Sequence, residues 1–218
     1  MSKIQELFEE DRNICAIMLE PIQGEAGIIL PHSNYLIEVQ KLCKKYNVLL
    51  ICDEVQTGLG RMGSMTACEY FNIKPDILLL GKALSGGMFP VSAVLANKDI
   101  MCCMYPNTHG STYGGSALSS AVAMESLKTL IDEDMIDNSK SIGSYFRKEL
   151  KSLNKDNEVL VRGLGLMNAI QFRNDKIAGK FVDELIKSNV LTKITRGDTI
   201  RLTPPLTIKK NDCDVVLD

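Results

Sequence analysis

The sequence predicts an α/β fold: a mostly parallel sheet covered by helices on both faces, followed by a smaller α+β unit. Three observations predict it. Short continuous apolar runs at 15–19, 48–52 and 77–80 alternate with amphipathic stretches, the pattern of strands buried on both faces. Each run stops abruptly, at Glu20-Pro21, Asp53-Glu54 and Gly81-Lys82. In the last third of the chain the rhythm changes to shorter strands around one helical stretch.

Each element follows from its residues. The opening MSKIQELFEEDRN is acidic and amphipathic, unlike a secretory signal or an Arg-rich transit peptide. CAIML, ending at Glu20-Pro21, reads as a buried strand. Ser33 is placed to cap a helix whose apolar positions are Tyr35, Leu36, Val39, Leu42, Cys43 and Tyr46, a helical spacing. VLLIC and ILLL supply two more strands, and Ser92 to Ala96 a fourth. From Ala117 to Leu153 the spacing is helical, broken in two by the polar DEDMIDNSK. Short strands at 159–162, 167–172 and 199–202 surround a helix at 177–188. The expected division is a large domain over 1–140, itself partial, and a small C-terminal domain over 141–218, with no internal repeat or low-complexity segment.

Composition narrows the function. The 218 residues are 45% hydrophobic and 24% charged with net charge −2, so the chain lacks the basic footprint of a nucleic-acid binder. No apolar run reaches the roughly 18 residues of a membrane span. Seven cysteines without a CxxC pair read as free thiols in a reducing compartment. The two histidines, His32 and His109, have no neighbours at metal-ligand spacing, so no metal is expected. Catalysis must then rest on Lys, Asp, Glu, Arg or a cofactor.

Ligands of parallel α/β sheets sit at the carboxyl ends of the strands, and two ends here deliver charge: Asp53 after VLLIC, Lys82 after ILLLG. A lysine that takes the aldehyde of pyridoxal phosphate and an acid that keeps its ring nitrogen protonated meet that description. A solvated pair, or a structural salt bridge, meets it too. Gly58-Leu59-Gly60-Arg61-Met62-Gly63 spells GxGxxG, but five residues separate it from the preceding strand and the next strand ends in Gly81-Lys82. It therefore reads as a glycine-rich surface turn, not a dinucleotide site.

The segments LEPIQGEAG, ICDEVQTGLGRMG, PDILLLGKALSGGMFPVSAVLA, HGSTYGG and IRLTPPL occur together and in order. In this the chain resembles the class III, fold-type I pyridoxal-phosphate aminotransferases, from about Cys15 onward. The resemblance implies that Lys82 is the lysine bonded to the cofactor and the group that moves the proton. Asp53 would pair with the ring nitrogen, Val55 pack on the ring face and Gln56 bond the ring hydroxyl. Ser111 and Thr112 would reach the phosphate held by the partner subunit of a homodimer. Glu20 and Glu25 match acids of the substrate pocket, and Arg201 the arginine that holds a substrate carboxylate.

The implied substrates are an amino acid and a 2-oxo acid. QGEAG and ALSGGMFPVSAVLA favour transfer of the δ-amino group of L-ornithine to 2-oxoglutarate over an acetylornithine or 4-aminobutyrate reaction. A non-catalytic truncated chain is the remaining reading. A cytoplasmic location is expected, with the mitochondrial matrix as the alternative. The family's N-terminal part, with its phosphate loop and ring-stacking aromatic, is expected to be absent from 1–218, as is its last helix. The chain alone is then expected to bind cofactor poorly.

Overall fold

Three of the apolar runs form the centre of the first sheet. The computed structural model describes residues 2–154 and 158–218. Strands β1 (Ala16–Leu19), β2 (Leu49–Asp53) and β3 (Ile77–Leu80) pair in parallel, and β4 (Ala93–Ala96) adds antiparallel to β3, in the order β1-β2-β3-β4. Helices α1 (Ser2–Glu10) and α2 (Tyr35–Tyr46) lie on one face, where Phe8, Leu36, Val39 and Cys43 pack with Leu50 and Cys52. Burying each large apolar side chain of this kind contributes about 1.5–3 kcal/mol. Short helices α3 (Ala67–Tyr70) and α4 (Lys98–Met101), then the longer α5 (Ala117–Asp132), complete this part.

Two expectations are corrected here. The helix cap is Asn34, not Ser33, and it makes no side-chain capping bond; backbone bonds from Tyr35 to His32 and from Glu38 to Asn34 start the helix instead. Nor is the sheet covered on both faces among the described residues. The strand register puts Met18, Ile51, Leu79 and Val94 on the same face, the one away from α1 and α2. Met18 and Val94, on the two edge strands, are 57% and 59% exposed, and Ile51 and Leu79 are half-buried. All-buried strands and strands with one open face are both apolar in sequence, so the run alone does not tell them apart.

The second sheet is antiparallel. It joins β5 (Leu160–Leu164), β6 (Met167–Gln171), β7 (Lys193–Thr195) and β8 (Thr199–Leu202) in the order β5-β6-β8-β7. Helices α6 (Met135–Leu153), α7 (Asp175–Lys187) and α8 (Lys210–Leu217) supply Phe146, Ala178, Val182 and Cys213 to a core with Val161, Ile170, Ile200 and Leu202. The sequence reading missed β7, of three residues, α8, half of whose residues are polar, and the four-residue helices α3 and α4. The break between α5 and α6 falls at Glu133-Asp134, where Asp134 takes φ +51°.

Contacts divide the chain into two compact units, and the cut is not the linear one expected at residue 140. One unit holds 1–21, 31–58 and 67–132; the other holds 133–218 together with 22–30 and 59–66. The reason lies in two arginines. Arg162 donates to the carbonyls of Gly27 and Ile28, and Arg61 donates to those of Leu166 (3.2 Å) and Pro204 (2.5 Å). The GxGxxG segment is likewise not a surface turn: Gly58, Leu59, Gly60 and Met62 are buried. Its Gly63 lies so close to α6 that a Cβ there would sit 2.9 Å from the Cα of Lys140.

Candidate active site

Because β1, β2 and β3 run parallel, their carboxyl ends share one edge of the first sheet. Glu20 follows β1, Asp53 ends β2 and Lys82 follows β3 after Gly81. The Asp53 carboxylate accepts the Val55 N–H at 2.9 Å, which turns the strand end toward Val55 and Gln56, both half-buried. The salt-bridge reading of Asp53 and Lys82 fails: no ion pair joins them among the described residues.

Lys82 begins a 3-10 turn, Lys82–Ser85, with φ +41°. A side-chain-bearing residue in that region costs on the order of 1–2 kcal/mol, a strain that clusters at functional positions. The turn closes at Gly86, φ +57°, and Ser126 on α5 donates to the Ala83 carbonyl at 3.2 Å. The lysine is exposed into a cavity of about 590 Å³ that it lines with Ser85, Ser92, Ser111, Gly114 and Gly115.

The cavity holds an amine that suits the aldehyde of pyridoxal phosphate, with serine hydroxyls and glycine backbone of the kind that suits a phosphate dianion, while Asp53, Val55 and Gln56 are not among its lining residues. Gly114 donates to Ser111 Oγ at 3.0 Å, and a Cβ on Gly114 would lie 2.9 Å from the Cβ of Ser111, so only glycine lets the loop fold this closely. Thr112 is exposed and is not among the residues that line the cavity. Within this unit the structure thus brings Ser111 to the lysine and leaves Thr112 aside.

One residue of this site escaped the sequence reading. Glu54, next to Asp53, is 1% exposed. Its carboxylate accepts from Thr57 Oγ1 (2.7 Å) and from the backbone N–H groups of Ala67 (2.8 Å) and Cys68 (2.6 Å) at the start of α3. It pins the turn that carries Val55 and Gln56. A charged residue after a strand reads as solvated, and the partners that bury it lie 13 and 14 residues on. Glu54→Ala strands three donors and is expected to lower unfolding stability by about 3 kcal/mol, read from the urea midpoint. An unchanged midpoint would show that these bonds carry no weight.

The second unit holds the other predicted group. Glu25 sits on a tight loop closed by mutual backbone bonds between Gln23 and Ile29. Arg201, on β8, donates from Nη1 to Glu25 Oε1 at 2.7 Å; its side chain is 13% exposed, that of Glu25 61%. The arginine is the sheltered member of the pair and the carboxylate the exposed one.

A family model described as aminotransferase class-III matches residues 1–218. An ornithine aminotransferase of Plasmodium yoelii yoelii is 49% identical over 216 residues, 97% of this chain and 52% of that protein. A mitochondrial ornithine aminotransferase of Drosophila melanogaster is 49% identical over 209 residues, 96% of this chain and 48% of that protein. An acetylornithine aminotransferase structure from Elizabethkingia anophelis is similar with TM-score 0.93 at 44% identity, covering 98% of this chain and 58% of that one. The chain spans about half the length of the curated relatives it matches.

Proposed function

This chain belongs to the class-III aminotransferase family, and from that premise we propose that it carries the cofactor lysine and the carboxylate-binding arginine of an ornithine δ-aminotransferase. The reaction moves the δ-amino group of L-ornithine to 2-oxoglutarate and yields glutamate semialdehyde and glutamate. The donor is taken from the relatives of known name; the acetylornithine enzyme has the same fold, so fold alone does not choose between donors. The observation that carries the reading is the Arg201–Glu25 pair.

Pyridoxal phosphate, when bound, supplies an aldehyde that takes the amino group and a ring that accepts the electron pair left on the reacting carbon. With the cofactor bound, Lys82 Nζ would hold its aldehyde carbon and, as a free amine, would take the proton from the donor's δ-carbon and return it as an acid to the former aldehyde carbon, across the intervening nitrogen. The Asp53 carboxylate would accept the ring N–H in a charge-assisted bond that keeps the nitrogen protonated. Val55 packs on the ring and Gln56 bonds its hydroxyl. Ser111 and Thr112 hold phosphate oxygens across the interface of a homodimer, and Glu20 lines the substrate pocket. Exposed Met88, Tyr105, Tyr113, Leu118 and Met124 favour such an interface.

Arg201 must bind the α-carboxylate of 2-oxoglutarate yet ignore that of ornithine, whose δ end has to reach the cofactor. Glu25 does this by masking Arg201 during the first half-reaction and yielding to 2-oxoglutarate in the second. With the arginine sheltered and the glutamate exposed, the bond is worth on the order of 1 kcal/mol, enough to bias the substrate's direction several-fold. The location follows as cytosol, with the matrix as alternative because the fly relative is named mitochondrial. No helix among the described residues is long and apolar enough to cross a membrane.

The test uses a full-length chimera in which these 218 residues replace the matching part of the Plasmodium yoelii enzyme. Semialdehyde formation from L-ornithine is expected to exceed turnover of acetylornithine or 4-aminobutyrate; the reverse order overturns the donor. In single-turnover kinetics Glu25→Ala is expected to raise α- relative to δ-transamination several-fold, the equivalent of that lost bond. Arg201→Ala should slow mainly the 2-oxoglutarate half-reaction. A constant α-to-δ ratio in Glu25→Ala would end the masking idea.

A further inference from the structure

The loop that carries Glu25 is held from below by a second arginine. The strand register aligns Arg162 on β5, Ala169 on β6 and Arg201 on β8 in one cross-strand row. The two arginines therefore leave the same face, two strands or about 10 Å apart, with a small buried alanine between them. Helices cover the opposite face. The loop 22–30 meets this one, and the arginines grip it differently. Arg201 takes the Glu25 side chain. Arg162 takes only backbone: Nε donates to Gly27 O and Ile28 O, both at 3.0 Å, and Nη2 to Gly27 O at 2.7 Å.

The grip is braced and the loop is strained. Arg162 Nη1 donates to Gln171 Oε1 (2.7 Å), Gln171 Nε2 to Asp198 Oδ2 (2.9 Å), and Thr199 Oγ1 to Asp198 Oδ1 (2.8 Å). Thr195 on β7 donates to the Glu25 carbonyl at 2.5 Å. Gly27 and Ile28 take φ +106° and +57°, the second a β-branched residue that leaves this region when released. Ile22 and Ile28, at the two ends of the loop, are fully buried. The backbone under Glu25 is thus clamped at carbonyls 25, 27 and 28, while its side chain stays exposed.

We infer that Arg162, with Thr195, is a positioning residue of the Glu25 mask: it fixes the loop backbone so that Glu25 leaves and returns to Arg201 by side-chain rotation alone. The inference rests on the masking reading above and adds the element that makes the mask return. Without the clamp the strained turn relaxes, Glu25 spends less time on Arg201, and a dicarboxylate meets less competition.

The experiment uses the isotope-labelled full-length chimera, with glutarate as the dicarboxylate probe. Arg162→Met and Thr195→Val are expected to weaken the nuclear Overhauser contact between the Glu25 and Arg201 side chains by more than half. Both should also tighten glutarate binding at Arg201, by about fivefold if the mask is largely closed in the parent; Glu25→Gln should do the same. A merely structural role would loosen glutarate binding instead. If Glu25→Gln tightens glutarate while both loop variants match the parent in contact and affinity, the inference is overturned and masking stands. If Glu25→Gln changes nothing, masking fails, and the Overhauser contact still decides whether Arg162 holds Glu25 on Arg201. Should Arg162→Met not fold, the half-buried Thr195→Val decides.

Discussion

Lys82→Ala is expected to abolish borohydride-stable attachment of pyridoxal phosphate to the full-length chimera. Turnover should fall by at least roughly 10²–10⁴-fold, the contribution of a positioned acid–base group. The argument separates chemistry from folding. Lys82 holds φ +41° whatever its side chain does. Alanine suffers the same left-handed penalty, so the substitution neither relieves nor adds backbone strain. The side chain is exposed in the cavity and makes no ion pair among the described residues, so its removal leaves no buried partner stranded. Lys82→Gly differs: it also loses the amine, but it removes the φ strain and should raise thermal stability by about 1 kcal/mol. Mass analysis of peptides after reduction reads the attachment, and calorimetry reads the stability. Cofactor still fixed in the alanine variant would assign the role to another lysine.

The largest effect on folding is expected at Gly143 in the middle of α6. A Cβ there would lie 1.8 Å from the carbonyl oxygen of Gly165 and 2.2 Å from its carbonyl carbon. Gly165 is itself jammed: a Cβ on it would sit 2.4 Å from the carbonyl carbon of Met62 and 2.5 Å from Arg61 O. With Gly63 against Lys140, three glycines lock loop 59–66, helix α6 and the β5–β6 turn backbone to backbone. Ser139 seals the contact by donating to Arg61 O and accepting from Leu166 N, both at 3.1 Å. No side-chain rotation can relieve a clash with main chain, so Gly143→Ala should destabilise by more than about 4 kcal/mol and unfold this unit. Gly179→Ala in α7 is the control. Nothing lies within 4 Å of its Cβ, and helix propensity predicts a gain of about 0.5–1 kcal/mol. Equal urea midpoints for the two variants would refute the lock.

Much of the site was visible in the chain because its chemistry sits at strand ends. Asp53 and Lys82 each follow an apolar run, as Glu20 does after CAIML. Val55, Gln56, Ser111, Thr112, Glu20, Glu25 and Arg201 came from resemblance, since a lone polar residue in a loop has no periodicity to betray it. Glu54 and Arg162 were missed for one reason. Glu54 looks like any acid that ends a strand, and Arg162 like any charge in a short strand. What gives them meaning is burial against backbone groups distant in sequence, 134 and 135 residues away for Arg162.

By itself the sequence determined the longer strands and helices, though not β7 or α8, because apolar runs and helical spacing are local and each buries its own pattern. It also determined that lysine and acid would share one sheet edge, since parallel strands bring their carboxyl ends together. Tertiary structure alone decided the rest: that one face of the first sheet stays half open, that loops 22–30 and 59–66 belong with the second unit, and that GxGxxG is a packing element. The last two rest on hydrogen bonds that Arg61 and Arg162 donate to backbone carbonyls and on glycines that meet backbone to backbone. Every residue's main chain offers the same carbonyl, so no residue type in the sequence marks where such a contact will form.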